Sequence, residues 1–199
     1  MNTEISGVIF ILLLTFTIAY PLGKYISKVF KDEKTWGDFL SPIENFIFKI
    51  SSINPNESMD WKENMKALLR LNLVFFLWSI LILMIQGKIS LWNPVQIIGM
   101  EATLAYNTAA SFTSNTNLQH YSGETGLSYF SQLFVVLFLQ FVSAATGIAA
   151  LALLFKGITQ KKASDLGNFY NLFLKSGTRI LLPLSFIVAF IFLLNGMPQ

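Results

Sequence analysis

The sequence contains no cysteine and a single histidine, His120, among 199 residues. Disulfides, thiolate catalysis and thiolate metal sites are thereby excluded, and one imidazole leaves little from which to build a zinc centre. Charge is also scarce. Asp, Glu, Lys and Arg together make up 13% of the chain, about half of the ~25% usual in soluble domains. A soluble surface needs polar cover that this composition does not supply, whereas a surface facing lipid needs none. Apolar residues are abundant instead: 53% are hydrophobic and 19 are phenylalanine, with a mean hydropathy of +0.55. A formal charge of +3 raises the question of nucleic acid, but the basic residues follow a membrane pattern and no nucleic-acid partner is expected.

Four long apolar stretches carry no charged side chain: residues 5–23, 71–87, 125–155 and 180–199. About 20 apolar residues cross ~30 Å of hydrocarbon, and in lipid each such segment must satisfy its own backbone as a helix. The first stretch is expected to be a retained helix rather than a cleaved signal peptide. No basic residue precedes it, Lys24, Lys28, Lys31 and Lys34 follow it, and no small-x-small cleavage site stands out. Of the 14 basic residues, eight lie from Lys24 to Arg70 and five from Lys156 to Arg179, with Lys88 alone in the remaining connection. The positive-inside rule makes the first two groups cytoplasmic and the Lys88 connection external. The expected layout is an all-α polytopic membrane protein with its N-terminus outside. Its helices cover 5–23, 67–87, 125–155 and 179–196, its cytoplasmic loops 24–66 and 156–178, and its external segment 88–124, all in one membrane region, 1–199.

Within the first cytoplasmic loop, Ile43, Phe46, Ile47 and Ile50 recur at helical spacing, with Glu44 and Lys49 off that stripe. Such a helix lies at the membrane surface or packs on its own protein. Asn54-Pro55 marks a turn, and Asp60 with Glu63 forms a capping-box start for the second span.

The external segment is the informative one. Residues 102–123 carry no charge yet are too polar to cross lipid. An Ala-rich first half predicts a short helix over 101–112, roughly 18 Å long and too short to span. Thr113, Ser114, Asn115, Thr116 and Asn117 follow, residue types that resist helix and favour turns. A short helix and a polar return, entered and left from outside, describe a re-entrant pore loop. Irregular backbone at membrane depth is tolerated where it is buried in protein or lines a watery cavity. Its chemistry suits a dehydrated monovalent cation, whose water shell is replaced by a ring of backbone carbonyls. The candidate ion-binding residues on this ground are Thr113, Ser114, Asn115, Thr116 and Asn117. Glu101 and Glu124 flank the loop and would concentrate cations at its outer mouth. Composition alone also permits a plain external turn.

The run Asn107-Thr108-Ala109-Ala110-Ser111-Phe112-Thr113-Ser114-Asn115-Thr116-Asn117, followed by Gln119 and by Tyr121-Ser122-Gly123-Glu124-Thr125, resembles the first pore region of the potassium-binding A subunits of Kdp-type potassium-transporting ATPases. The resemblance extends to Pro21-Leu22-Gly23, Met59-Asp60-Trp61-Lys62, Asn93-Pro94 and Ser143-Ala144-Ala145-x-Gly147, nearly the whole chain. It implies a potassium-channel-like transporter built of helix–pore loop–helix repeats, of which this chain holds one plus flanking helices. It places Asn115, Thr116 and Asn117 on a filter segment that would hold K+, and adds Gln119, just beyond, to the candidate ion-binding residues. It further implies a non-catalytic subunit in a bacterial cell membrane, with potassium as the transported ion. Its partners would be a P-type ATPase subunit that hydrolyses ATP and small accessory membrane subunits. Leu118 and His120 depart from the family pattern, at positions where an aromatic and a small polar residue are expected. One repeat cannot enclose an ion, so the end at Pro198-Gln199 suggests a fragment or truncated product.

Other readings differ in class. A passive potassium channel or symporter would use the same loop. A membrane enzyme would draw on His120, Tyr121 and Glu124, although Ser122-Gly123 argues for a turn rather than one helical face. An accessory membrane protein would use the Ser143–Gly147 small residues only for helix packing. Gln140 is expected inside, hydrogen-bonded or facing an ion path, and Pro183 is expected to kink the last span.

Overall fold

The computed structural model describes residues 3–159 and 166–197. Lys161 and Lys162 of the second basic group, and the terminal Pro198-Gln199, lie outside the described residues. The described residues are helical without a strand, and four helices are long and apolar enough to cross a membrane. They fall into two compact units, Ser52–Gly177 and Met1–Ser51 with Thr178–Gln199.

In the Ser52–Gly177 unit, α3 (Trp61–Ile85) begins at Asp60, whose carboxylate accepts the Glu63 N–H at 2.8 Å while Glu63 accepts the Asp60 N–H at 2.8 Å. This is the capping box read from the sequence, and it starts the helix well before the charge-free stretch. Hydropathy reports what lipid tolerates, whereas the cap sets where the backbone ladder begins. A short helix, α4 (Ala102–Thr113), packs on α3. The third apolar helix, α5 (Tyr129–Thr159), carries a π segment at Gln132–Leu137. Ala105, Thr108, Ala109 and Phe112 form the buried face of α4 at 3.6-residue spacing. Two of them are alanines with no exposure, so the helix backbones approach closely. Ile82, Leu83, Met100, Ala105, Phe112, Leu127, Val135 and Leu139 make one core cluster that wedges α4 between α3 and α5.

The last apolar helix spans Phe169–Leu194, with a π segment at Ser176–Leu181. Its first turn is capped by Asn168, which accepts from Tyr170 and Asn171 N–H and donates to the Asn54 and Glu57 carbonyls at 3.1 and 3.2 Å. The Asn54-Pro55 turn is thereby tied to this helix start.

In the other unit, α1 (Thr3–Phe30) runs through Lys24 and Lys28, cations that favour a helix C-terminus. The helix α2 (Ser41–Ser51) turns its apolar stripe outward and its glutamate inward. Its apolar residues Ile43, Phe46 and Ile50 are exposed, Phe46 at 63%, and Glu44 is buried at 4%. The cause is Arg179, itself buried, whose Nε and Nη2 reach Glu44 at 2.7 and 2.5 Å and whose Nη1 reaches Asp38 at 2.6 Å. Thr178 adds a hydroxyl to Glu44 at 2.6 Å. Pro183 has no N–H for the carbonyl of Arg179 four residues earlier, and the Tyr25 hydroxyl donates to that oxygen at 2.8 Å instead. Gly37 fits closely beside this cluster, where a Cβ would lie 2.9 Å from the Tyr25 oxygen and 3.2 Å from Arg179 Cβ.

Candidate functional site, a polar hairpin at mid-span depth

The connection from α3 to α5 holds the polar residues singled out in the sequence. Its two ends are fastened together by Gln86, which has no exposed surface. The Gln86 amide nitrogen donates to the Ile98 and Gly126 carbonyls, both at 3.0 Å, and its oxygen accepts from Ser128 N–H at 3.1 Å. Asn93 adds a donor to Ile97 O at 2.9 Å and accepts the Ile97 N–H at 2.8 Å. Next to them Gly99 meets the end of α3 so closely that a Cβ would sit 2.3 Å from the Met84 carbonyl oxygen. The chain therefore leaves α3 and rejoins α5 at one and the same end.

Between those ends α4 turns inward. Glu101 caps it, accepting from Thr103 and Leu104 N–H at 3.1 and 3.2 Å and from the Thr103 hydroxyl. These bonds hold the Glu101 carboxyl below its ordinary range, the Thr103 hydroxyl contributing most. The far end of the hairpin is marked by Ser143, whose hydroxyl lies 3.3 Å from the Asn115 side-chain oxygen. Ser143 stands 14 residues (143 − 129) from the start of the 31-residue α5, ~21 Å along the helix. The hairpin thus enters, turns near the middle of a span and returns.

The turn itself is organised by one residue, Ser111. Its carbonyl accepts the N–H of Thr116 at 2.9 Å and of Asn117 at 3.3 Å, and its hydroxyl accepts the N–H of Leu118 at 2.6 Å. The backbone accommodates this by positive φ at Asn115 (59°) and Asn117 (58°), and asparagine is among the non-glycine residues that best tolerate that region. All three peptides are trans. In a trans peptide the N–H and the preceding C=O point in opposite directions. Three successive N–H groups aimed at Ser111 therefore turn the carbonyls of Asn115, Thr116 and Asn117 away from α4, in a row, and no hydrogen bond from the described residues reaches those three oxygens. Thr113 and Ser114 are placed differently. Thr113 is the last residue of α4 and its hydroxyl is buried, while Ser114 continues the turn with its N–H on Ala110 O at 3.0 Å.

Asn117 donates to the Asn115 side-chain oxygen at 3.3 Å, and the Ser114 and Thr116 hydroxyls pair at 2.8 Å. Gln119 reaches the Tyr121 hydroxyl at 3.3 Å and lines a cleft of about 380 Å³ with Gln132 and Gln140. Burial pushes the Tyr121 phenol up, with hydrogen bonds to Gln119 and Thr108 opposing it. Glu124 accepts the Ser122 hydroxyl at 2.5 Å, which keeps its carboxyl low. No hydrogen bond joins His120 to Tyr121 or Glu124 among the described residues, so the acid–base grouping of those three is not assembled. The described residues hold no cluster of metal-ligating His, Asp or Glu side chains.

Ser111, Ser143 and Gln86 were not among the residues singled out for chemistry. Gln86 had a signal, an uncharged polar residue inside an apolar run, and such residues in a membrane segment usually face a partner. Ser111 and Ser143 had none, since a serine in a helix is read first as a small packing residue.

A family model described as potassium-transporting ATPase A subunit matches residues 9–199. The protein of Phocaeicola vulgatus called potassium-transporting ATPase potassium-binding subunit is 52% identical over 199 residues, covering all of this chain. Those of Flavobacterium johnsoniae and Caldanaerobacter subterraneus, with the same name, are 54% and 41% identical over 200 and 199 residues. In each case the chain spans 35% of the relative's length. With four membrane-capable helices and a match along nearly its whole length, this chain is a multi-pass membrane protein of the KdpA family, the potassium-transporting ATPase A subunits.

Proposed function

We propose that this chain supplies one wall of a potassium-selecting pore, in a complex whose ATP hydrolysis is carried out by a separate P-type ATPase subunit. The supporting observation is the row of carbonyl oxygens at Asn115, Thr116 and Asn117, turned outward at mid-span depth. Carbonyl dipoles can replace the hydration shell of K+ without the irreversible grip of a fixed charge. Ser114 and Gln119 extend this polar surface, and Thr113 supports it from the helix end. Glu101 and Glu124, both held ionised, stand where the hairpin enters and leaves and would draw cations to the mouth. One hairpin offers carbonyls from one side, so the ion is enclosed only when comparable segments stand opposite. They come from elsewhere in a longer subunit or from another chain.

The names of the relatives support potassium as the ion and an ATPase as the partner, and small accessory membrane subunits complete the assembly we envisage. The basic residues orient it in a bacterial cell membrane, with the Lys88 connection and the hairpin entrance outside and the N-terminus outside. The chain itself is non-catalytic in this reading.

Gln119→Arg in the intact complex tests it. A fixed positive charge beside the carbonyl row should raise the K+ concentration for half-maximal ATPase stimulation by about tenfold or more, the effect of ~1.4 kcal/mol of repulsion. An unchanged K+ dependence in a fully assembled complex would remove the hairpin from the ion path.

A further inference from the structure

We infer that Ser111 is the positioning residue that sets ion discrimination at this hairpin, an inference that rests on the pore reading above. Two acceptor atoms of this one residue collect three successive N–H groups, at 2.9, 3.3 and 2.6 Å. The shortest of the three is made by its side chain, to Leu118 N–H. That bond fixes the peptide plane between Asn117 and Leu118, and with it the direction of the Asn117 carbonyl. The other two bonds go to the Ser111 backbone and survive any substitution of the side chain. The hydroxyl therefore controls one carbonyl of the row and leaves its neighbours in place.

Of the contacts at Ser111, only the hydroxyl's is lost when the side chain is replaced. The Ser111 carbonyl also accepts the Ser114 hydroxyl at 3.2 Å, so the helix end and the turn are sewn together at this residue. Without the hydroxyl, Leu118 N–H loses its partner at a place where irregular backbone must be satisfied by protein or by water. The peptide then rotates to find water, and the Asn117 oxygen leaves the row. A smaller cation such as Na+ demands shorter contacts than K+, and a row held at fixed spacing penalises it. A carbonyl free to swing follows the smaller ion and removes that penalty.

The experiment compares Ser111→Ala, Ser111→Thr and Gln119→Arg in the assembled complex, measuring ATPase stimulation by K+, Rb+ and Na+. Ser111→Ala should raise the KM for K+ about threefold to tenfold, the worth of one hydrogen bond, with a smaller change in kcat. It should also narrow the gap between K+ and Na+. Ser111→Thr keeps the acceptor and should restore both. Hydrogen exchange of the peptide spanning 114–120 supplies a second readout, in which Ser111→Ala should deprotect the Leu118 amide while α4 stays protected. Wild-type KM and discrimination in Ser111→Ala, or equal impairment of the alanine and threonine variants with Leu118 still protected, would overturn the assignment. The two ideas separate cleanly. If Gln119→Arg weakens K+ and Ser111→Ala does not, the positioning role falls alone; if Gln119→Arg has no effect, the pore reading itself falls.

Discussion

Two polar clusters interrupt this apolar protein, and they are built on opposite plans. Around Arg179 the side-chain groups are charged or bonded to a charge: Glu44 takes two guanidinium contacts and a threonine hydroxyl, Asp38 takes the remaining fork nitrogen, and the Ser41 hydroxyl accepts from the guanidinium at 3.2 Å. In the hairpin the turn from Ser114 to Gln119 carries no charge at all. Three successive backbone N–H groups are taken up by Ser111, while the carbonyls of Asn115, Thr116 and Asn117 face away from α4 with no hydrogen bond from the described residues. A closed, saturated cluster holds shape. An open row of neutral acceptors holds shape on one side and, on the proposed pore reading, leaves the other for an ion that must enter and depart. The contrast teaches that satisfaction of hydrogen bonds, rather than polarity, separates an anchor from a site.

If that division is right, the anchor should be the more brittle of the two. Arg179→Met removes the partner of a buried carboxylate and should cost about 3–5 kcal/mol, the usual penalty for orphaning half of a buried ion pair. Thermal unfolding in detergent measures it, and Arg179→Met with Glu44→Leu should recover a substantial part because no charge is then stranded. A single variant as stable as the wild type would mean that water reaches Glu44, and the cluster would no longer count as closed.

Gln86→Leu tests the fastening at the other end of the hairpin. The side chain is close in volume, but the Ile98 and Gly126 carbonyls and the Ser128 N–H lose their partner. A loss of about 2–3 kcal/mol is expected, given ~1–3 kcal/mol for each buried group left unmade and some relaxation among them. Unfolding midpoints check the stability. Potassium dependence checks the comparison, because a loosened entrance should lower assembly and affinity together, unlike the selective change expected at Ser111.

Much of the layout is legible in the sequence because hydropathy, caps and short helices are local signals. The Asp60–Glu63 box, the Asn54-Pro55 turn and the short helix before Thr113 each follow from residues a few positions apart. What could not be read depends on distant partners. Glu44 lies off an apolar stripe with nothing near it in the chain to announce a partner, and Arg179, 135 residues later, holds it inward while Phe46 and Ile50 stay exposed. The last apolar helix begins at Phe169, eleven residues before its charge-free stretch, because Asn168 caps it and Arg179 is neutralised within it. The turn residues were legible by type, while the direction of their carbonyls was not. That direction follows from three N–H groups meeting Ser111, a fact of backbone geometry with no counterpart in composition.

The smallest expected effect lies at the hairpin mouth and concerns pH. Glu101 caps α4 through the Thr103 hydroxyl and two backbone N–H groups, bonds that favour the ionised carboxylate and lower its pKa. A carboxyl depressed in the folded state contributes stability in full above its unfolded value, and the contribution disappears as pH falls through the folded one. The unfolded value is about 4.3, so the stability difference between wild type and Glu101→Gln should stay constant from roughly pH 8 to 5 and shrink only below ~4. Glutamine keeps an acceptor for the N–H groups, so the difference isolates the charge. Thermal unfolding of both proteins across that range measures it. A difference that fades already between about pH 6 and 5 would mean a raised pKa, hence a carboxylate withdrawn from water. The mouth would then resemble the Arg179 cluster more than the open row it is meant to serve.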